Sequence, residues 1–244
     1  MIKKLIVPIL ILMVSLISNA GCSTTEIPEE LEDLTRSPGN PLTSSTREVK
    51  DCANRLEKMG ITGITEEMIE SLDNFLSKEP EIAKTMDITA TFLTYVGGGE
   101  FDYDTWEWSP SSDQVYCFDV EVFNVGCMYE TFLQGIISIS NEEFEITEIT
   151  ENLSNINEDS GLGTRDVSFN YNGTPYTLTA EAQHDWFDTN MLSEMNQVFQ
   201  QEGNPKKLYF MGDGYQECIV FYCTKEWALD FTKTTGCILY DGIQ

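Results

Sequence analysis

Apolar residues recur at three- and four-residue spacing over 47–59, where Val49, Cys52, Ala53, Leu56 and Met59 share one helix face. Thr46 is placed to start that helix and Gly60 to end it. A second amphipathic stripe, Met68, Ile69, Leu72, Phe75 and Leu76, predicts a helix over 66–77, with Thr65 as its cap and Ile64 stapling its entry. Pro80 opens a third over 81–96, stopped by Gly97-Gly98-Gly99, although 88–96 also alternates as a strand would. Alternation then takes over. Over 114–123, Tyr116, Phe118, Val120 and Val122 fall on one face, and Cys117, Asp119 and Glu121 on the other.

A helix over 126–137 turns Met128, Phe132, Leu133 and Ile136 inward, and 144–149 follows as a strand. The strands 164–171 and 174–182 flank Asn172-Gly173, a strong signal for a tight hairpin. Asp188 or Thr189 caps a helix to 202 with Met191, Leu192, Met195, Val198 and Phe199 inward. The strands 208–211 and 217–223 surround Gly212-Asp213-Gly214; Thr224 caps a helix to 233, and 237–240 closes as a strand. The order predicts an α+β domain: N-terminal helices followed by a mainly antiparallel sheet with helices packed on one face. Its helical part is 47–96 and its sheet-rich part 100–244.

The first residues follow a different pattern. Met1, Lys3 and Lys4 are followed by an apolar run from Leu5 to Ile17, then by Ser18, Asn19, Ala20, Gly21 and Cys22. This is the layout of a secretory signal over 1–21, and its apolar run of thirteen residues is too short for a membrane span, which needs about 20. Residues 1–22 resemble the signal of bacterial lipoproteins, in which the Cys is lipidated and becomes the first mature residue. That resemblance implies a membrane-held protein facing outward, with Cys22 as its anchor. Ser18 and Ala20 also satisfy the small-x-small rule, so cleavage after Ala20 and plain secretion is the alternative. Residues 22–46, rich in Ser, Thr, Pro, Glu and Gly, are expected to form a flexible tether.

Charge narrows the partners. The chain carries −27, and because the signal holds two lysines and no acids, the mature part carries −29. Between Lys84 and Lys206 the one basic residue is Arg165. Such a surface repels phosphate, which argues against nucleic acid, and attracts a basic protein, peptide or other cationic ligand.

Candidate chemistry is sparse. His184, the one histidine, stands in His184-Asp185-Trp186-Phe187-Asp188. No CxxC or HxxxH spacing supports zinc, and no Gly-rich loop has the lysine of a phosphate cradle. Asp102, Asp104 and Glu107 place three carboxylates in one loop, a weak calcium candidate, since calcium takes oxygens from such loops. Phe101, Tyr103, Trp106 and Trp108, three of them alternating with Asp or Glu, are candidates for a cradle around a basic or sugar ligand. Seven cysteines leave six once Cys22 is set aside, enough for three disulfides in fifteen connectivities or for six thiols. The expectation is a membrane-tethered, non-enzymatic binding domain with ligand candidates Tyr103, Trp106, Trp108, His184 and Asp185. The alternatives are an acidic immunity or inhibitor protein against a basic toxin, and an enzyme using His184 or a Cys.

Overall fold

A computed structural model describes residues 46–102, 104, 107–122, 124–157 and 159–242. The chain divides between Gly39 and Asn40, and all described residues belong to the second unit. The signal, Cys22 and the tether up to 45 therefore lie outside the described residues, as do Tyr103 and Trp106.

Helix α1 (Thr46–Lys58) buries Val49, Cys52, Ala53 and Leu56 as the stripe predicts. Its end is a Schellman turn: Gly60 is left-handed (φ 92°), its N–H bonds to the Glu57 carbonyl, and the Ile61 N–H reaches back to Leu56. Helix α2 (Glu66–Lys78) starts where the Thr65 hydroxyl accepts the Met68 N–H. The single helix expected over 81–96 is instead two, α3 (Pro80–Ala83) and α4 (Ile88–Gly98). The break arises at Asp87, whose Oδ1 accepts the N–H groups of Thr89 and Ala90 and so begins a new helix. That cap also decides against a strand over 88–96.

Strands β1 (Glu100–Asp102) and β2 (Glu107–Ser109) form a small antiparallel hairpin. Strand β3 (Val115–Asp119) is followed by a short 3-10 turn (Val125–Cys127) and α5 (Met128–Ser138). Then come β4 (Ile146–Asn152), β5 (Leu162–Tyr171), β6 (Thr174–Gln183), α6 (Asn190–Gln201), β7 (Lys207–Gly212), β8 (Glu217–Cys223) and α7 (Lys225–Thr235). The Asn172-Gly173 turn pairs Tyr171 with Thr174, as the hairpin signal requires. The expected last strand reduces to one bridge, Phe210 with Tyr240.

The fold class is α+β, with seven helices and three antiparallel sheets among the described residues. The one-face arrangement holds for β4-β5-β6, which buries Val167, Phe169, Leu178 and Ala180 and wets its other side. It does not hold for β3-β8-β7. There Val115, Cys117, Ile219, Phe221, Tyr209 and Met211 enter one core with α1, α2, α4 and α7, while Tyr116, Cys218, Val220 and Leu208 enter another with α5 and α6. Strand β8 is buried on both faces, which is why its residues Cys218 to Cys223 are apolar without alternation. Cys117, expected on a polar face, is buried for the same reason. Among the described residues no helix is long and apolar enough to cross a membrane.

Candidate functional site

Strand β6 ends in a tight turn through His184 and Asp185, closed by the Trp186 N–H on the Gln183 carbonyl (3.1 Å). His184 adopts a left-handed φ of 59° there. Its N–H bonds to the Gly161 carbonyl at 3.0 Å, and Gly161 is itself left-handed (φ 62°), with a Cβ there standing 2.6 Å from the exposed His184 ring. The residues after the turn pair with the chain beyond β3, which shortens that strand from the expected 114–123. Val122 N–H bonds to Asp185 O and Phe187 N–H to Val120 O, both at 2.7 Å, with Glu121 opposite Trp186. The junction thus ties the two larger sheets together.

Beside it lies an open groove of about 240 Å³ lined by Glu181, Gln183, Trp186, Phe187, Asp188 and Thr189. Trp186 is 45% exposed, whereas Phe187 is buried with its ring 4.8–5.0 Å from those of Phe118, Tyr129 and Phe132. One residue is therefore the anchor and its neighbour the exposed aromatic. The Asp188 carboxylate is fixed from two sides, accepting the Glu181 N–H (2.8 Å) and the Asn190 N–H (3.0 Å). Its own N–H donates to the Tyr129 hydroxyl at 3.1 Å.

Tyr129 leads to the buried charges below the groove. Arg165 is 2% exposed. Its Nη1 donates to Glu151 Oε2 and to the Val125 carbonyl, each at 2.6 Å, and its guanidinium lies 5.5 Å from the centre of the Tyr129 ring. Glu151 Oε1 accepts the N–H groups of Tyr129 (3.0 Å) and Glu130 (2.9 Å) at the start of α5, where the helix dipole favours an anion. Sequence reasoning singled out Arg165 as an isolated charge but gave it no place. The signal was present: Arg165 is in phase with Val167, Phe169 and Tyr171 on the inward face of β5.

The other candidates scatter. Trp108 belongs to the β1–β2 hairpin, where its Nε1 donates to the Gly98 carbonyl at 2.6 Å and its ring meets Tyr116 edge-on. It is held as an anchor of that hairpin, with its contacts to Gly98 and Tyr116 and not to His184 or Asp185. His184 is exposed and Asp185 half-buried, side by side on the turn. Asp102 accepts the Asp104 N–H, and both are exposed; Glu107 lies across the hairpin from Asp102. Among the described residues no three metal-ligating side chains gather into a site.

Five of the thiols are held toward their protonated form. Burial pushes Cys218, Cys223 and Cys237 up to about 12, raises Cys52, and lifts Cys117 well above its ordinary value. The Cys117 thiol donates to Glu217 Oε2 at 3.3 Å, so its polar neighbour is an acid where a thiolate would need a cation.

Glu217 also sits directly across the strand pair from Asp119, an arrangement of like charges. Burial first, then the neighbouring carboxylates, raises the pKa of both. A carboxyl whose pKa is higher folded than unfolded takes up protons on folding, so stability should rise as pH falls from neutral toward the ordinary carboxylate range. Asp119→Asn is expected to raise the urea midpoint at neutral pH and to flatten its rise on acidification. An unchanged pH profile in that variant would show that the pair carries no strain.

The site is thus a groove lined by the carboxylates Glu181 and Asp188 with one exposed aromatic, Trp186, on an α+β frame. No family model, no curated protein and no solved structure matches the chain.

Proposed function

We propose that this chain is an exported, lipid-anchored binding domain that is not an enzyme and docks a basic protein or peptide. The anchor rests on the pattern of residues 1–22, with Cys22 as the lipidated residue and 22–46 as the tether. The docking reading rests on one observation above all. Arg165, the sole Lys or Arg between Lys84 and Lys206, is withdrawn from the surface onto Glu151. Among the described residues, the surface of that long span keeps its carboxylates with no Lys or Arg of its own, and the flanking Lys206 pairs with Glu143 alone. Trp186 and Glu181 give this surface a place where an ammonium or guanidinium group meets an indole face beside a carboxylate.

The test is binding of an arginine-rich peptide to the purified chain, followed by Trp fluorescence or calorimetry across salt. Affinity should fall at least tenfold between about 50 and 500 mM salt, because the attraction is screened. Trp186→Ala should weaken binding about three- to fivefold, the size of an exposed cation–π contact, and Glu181→Lys by a similar factor. Binding that ignores salt, or that a neutral peptide or polysaccharide matches, would overturn the reading. Intact mass from the host membrane checks the anchor separately: a diacylglyceryl group on Cys22 supports it, and an unlipidated N-terminus at Gly21 refutes it.

A further inference from the structure

Two thiols far apart in the chain meet at one point of the fold. Cys52 lies on the inward face of α1, and Cys237 follows α7, half-buried against the same core. Both arrive at the first turn of α4. The Cys52 thiol stands 3.4 Å from the Thr89 hydroxyl, and the Cys237 thiol 3.7 Å from Asp87 Oδ2. Asp87 and Thr89 are themselves joined, since the Thr89 N–H donates to Asp87 Oδ1 at 2.8 Å.

Among the described residues, the other four thiols have no such meeting point. Cys117 pairs in register with Ile219, and Cys223 is four residues further along β8, a displacement of about 13 Å at the rise of a strand. A disulfide spans a Cα separation of at most about 7 Å. Cys218 points into the opposite core, and Cys127 sits before α5, its sulfur facing the Thr131 hydroxyl.

We propose that Cys52 and Cys237 form a redox pair that closes into a disulfide when the domain meets an oxidising compartment. The closure pins the segment after α7 to α1 and α4. Its occurrence in the cell rests on the export proposed above; its chemistry does not. The oxidant is a disulfide, either that of an exported thiol–disulfide oxidoreductase or oxidised glutathione. The more accessible Cys237, as thiolate, attacks one sulfur of that disulfide and expels a thiolate. Cys52, as thiolate, then attacks the Cys237 sulfur of the mixed disulfide and expels the second. Two thiols lose two protons and two electrons, and the oxidant gains them as two thiols. Closure brings together two sulfurs that already contact the same turn, one at Thr89 and the other at Asp87.

The full chain, reduced and then equilibrated with oxidised glutathione, is trapped by alkylation and mapped without reductant. One linked peptide pair carrying Cys52 and Cys237 is expected, with a higher melting temperature that reverts on adding dithiothreitol. Because burial and nearby Asp87 hold the Cys237 thiol up, the rate of closure should climb about tenfold per pH unit between neutral and mildly alkaline pH. Cys237→Ser should abolish the link and the melting shift while melting like the reduced wild type. A link through any other cysteine, or full alkylation of both after equilibration, would overturn the proposal. Peptide binding measured on the same oxidised and reduced samples reports on the docking reading independently.

Discussion

Arg165→Met is expected to lower the unfolding free energy by about 3 kcal/mol, the low end of what removing one partner of a buried ion pair costs. The side chains of Arg165 and Glu151 are 3% and 5% exposed, so neither charge is left to water. Methionine keeps most of the volume of the arginine stem but strands the Glu151 carboxylate and leaves the Val125 carbonyl without its donor. The stranded anion is not wholly uncompensated, because the Tyr129 and Glu130 N–H groups still hold one oxygen. That residual support keeps the expected loss from the upper end of the range. Adding Glu151→Gln removes the charge while keeping an oxygen for those N–H groups. The double variant should recover to within about 1 kcal/mol of the wild type, since a desolvated pair and its neutral replacement are often close in stability. Urea titrations of the four proteins close the cycle. A single variant within 1 kcal/mol of the wild type would mean the pair contributes only solvent-screened attraction.

The same pair shows how much of this chain could be read before its fold was known. Local grammar was legible: Thr65 and Thr224 cap the helices they precede, and Asn172-Gly173 makes the hairpin it promises. These features depend on residues within a few positions of one another. Where long-range contact decides, the sequence pattern underdetermined the result. Asp87 could equally have been a mid-helix surface acid, and only its carboxylate turned onto Thr89 and Ala90 splits the helix. The two-sided burial of β8 follows from helices brought to both of its faces by elements on either side in the chain.

The candidate site was legible in part. The turn His184-Asp185 was singled out for its histidine, but the exposed group beside it is Trp186, and the oriented carboxylate is Asp188. Alternation cannot tell which of Trp186 and Phe187 points inward without the pairing of that turn to Val120 and Val122. Trp108 was grouped with ligand candidates for its acidic neighbours, yet its indole N–H is used by the Gly98 carbonyl, a partner ten residues upstream. The electrostatic picture gained most. Composition marked Arg165 only as the one Lys or Arg between Lys84 and Lys206, and its burial onto Glu151 takes that charge away from the surface.

Gly135→Ala is expected to destabilise the domain by about 2 kcal/mol, opposite in sign to what helix propensity alone dictates. An alanine in mid-helix gains up to about 1 kcal/mol over glycine. Gly135, however, lies in α5 under the ring of Tyr116: an added Cβ would stand 2.1 Å from its Cζ and 2.2 Å from a Cε carbon. Tyr116 has nowhere to retreat. Its ring is stacked on Phe118 with centroids 5.4 Å apart and met edge-on by Trp108 at 5.9 Å, and it is 4% exposed. Forcing a methyl into such a site costs roughly 1–3 kcal/mol or more, and a contact this short belongs at the top of that range. The packing loss therefore outweighs the propensity gain. Tyr116→Leu shortens the side chain by the atoms that collide and opens a cavity of its own. Combined with Gly135→Ala, part of that cavity is filled, so the double variant should be more stable than the sum of the two single losses by at least 1 kcal/mol. Additive losses would place the cost in the backbone of α5 and not in the contact between helix and strand, and the close seating of α5 on β3 would then owe nothing to the missing side chain.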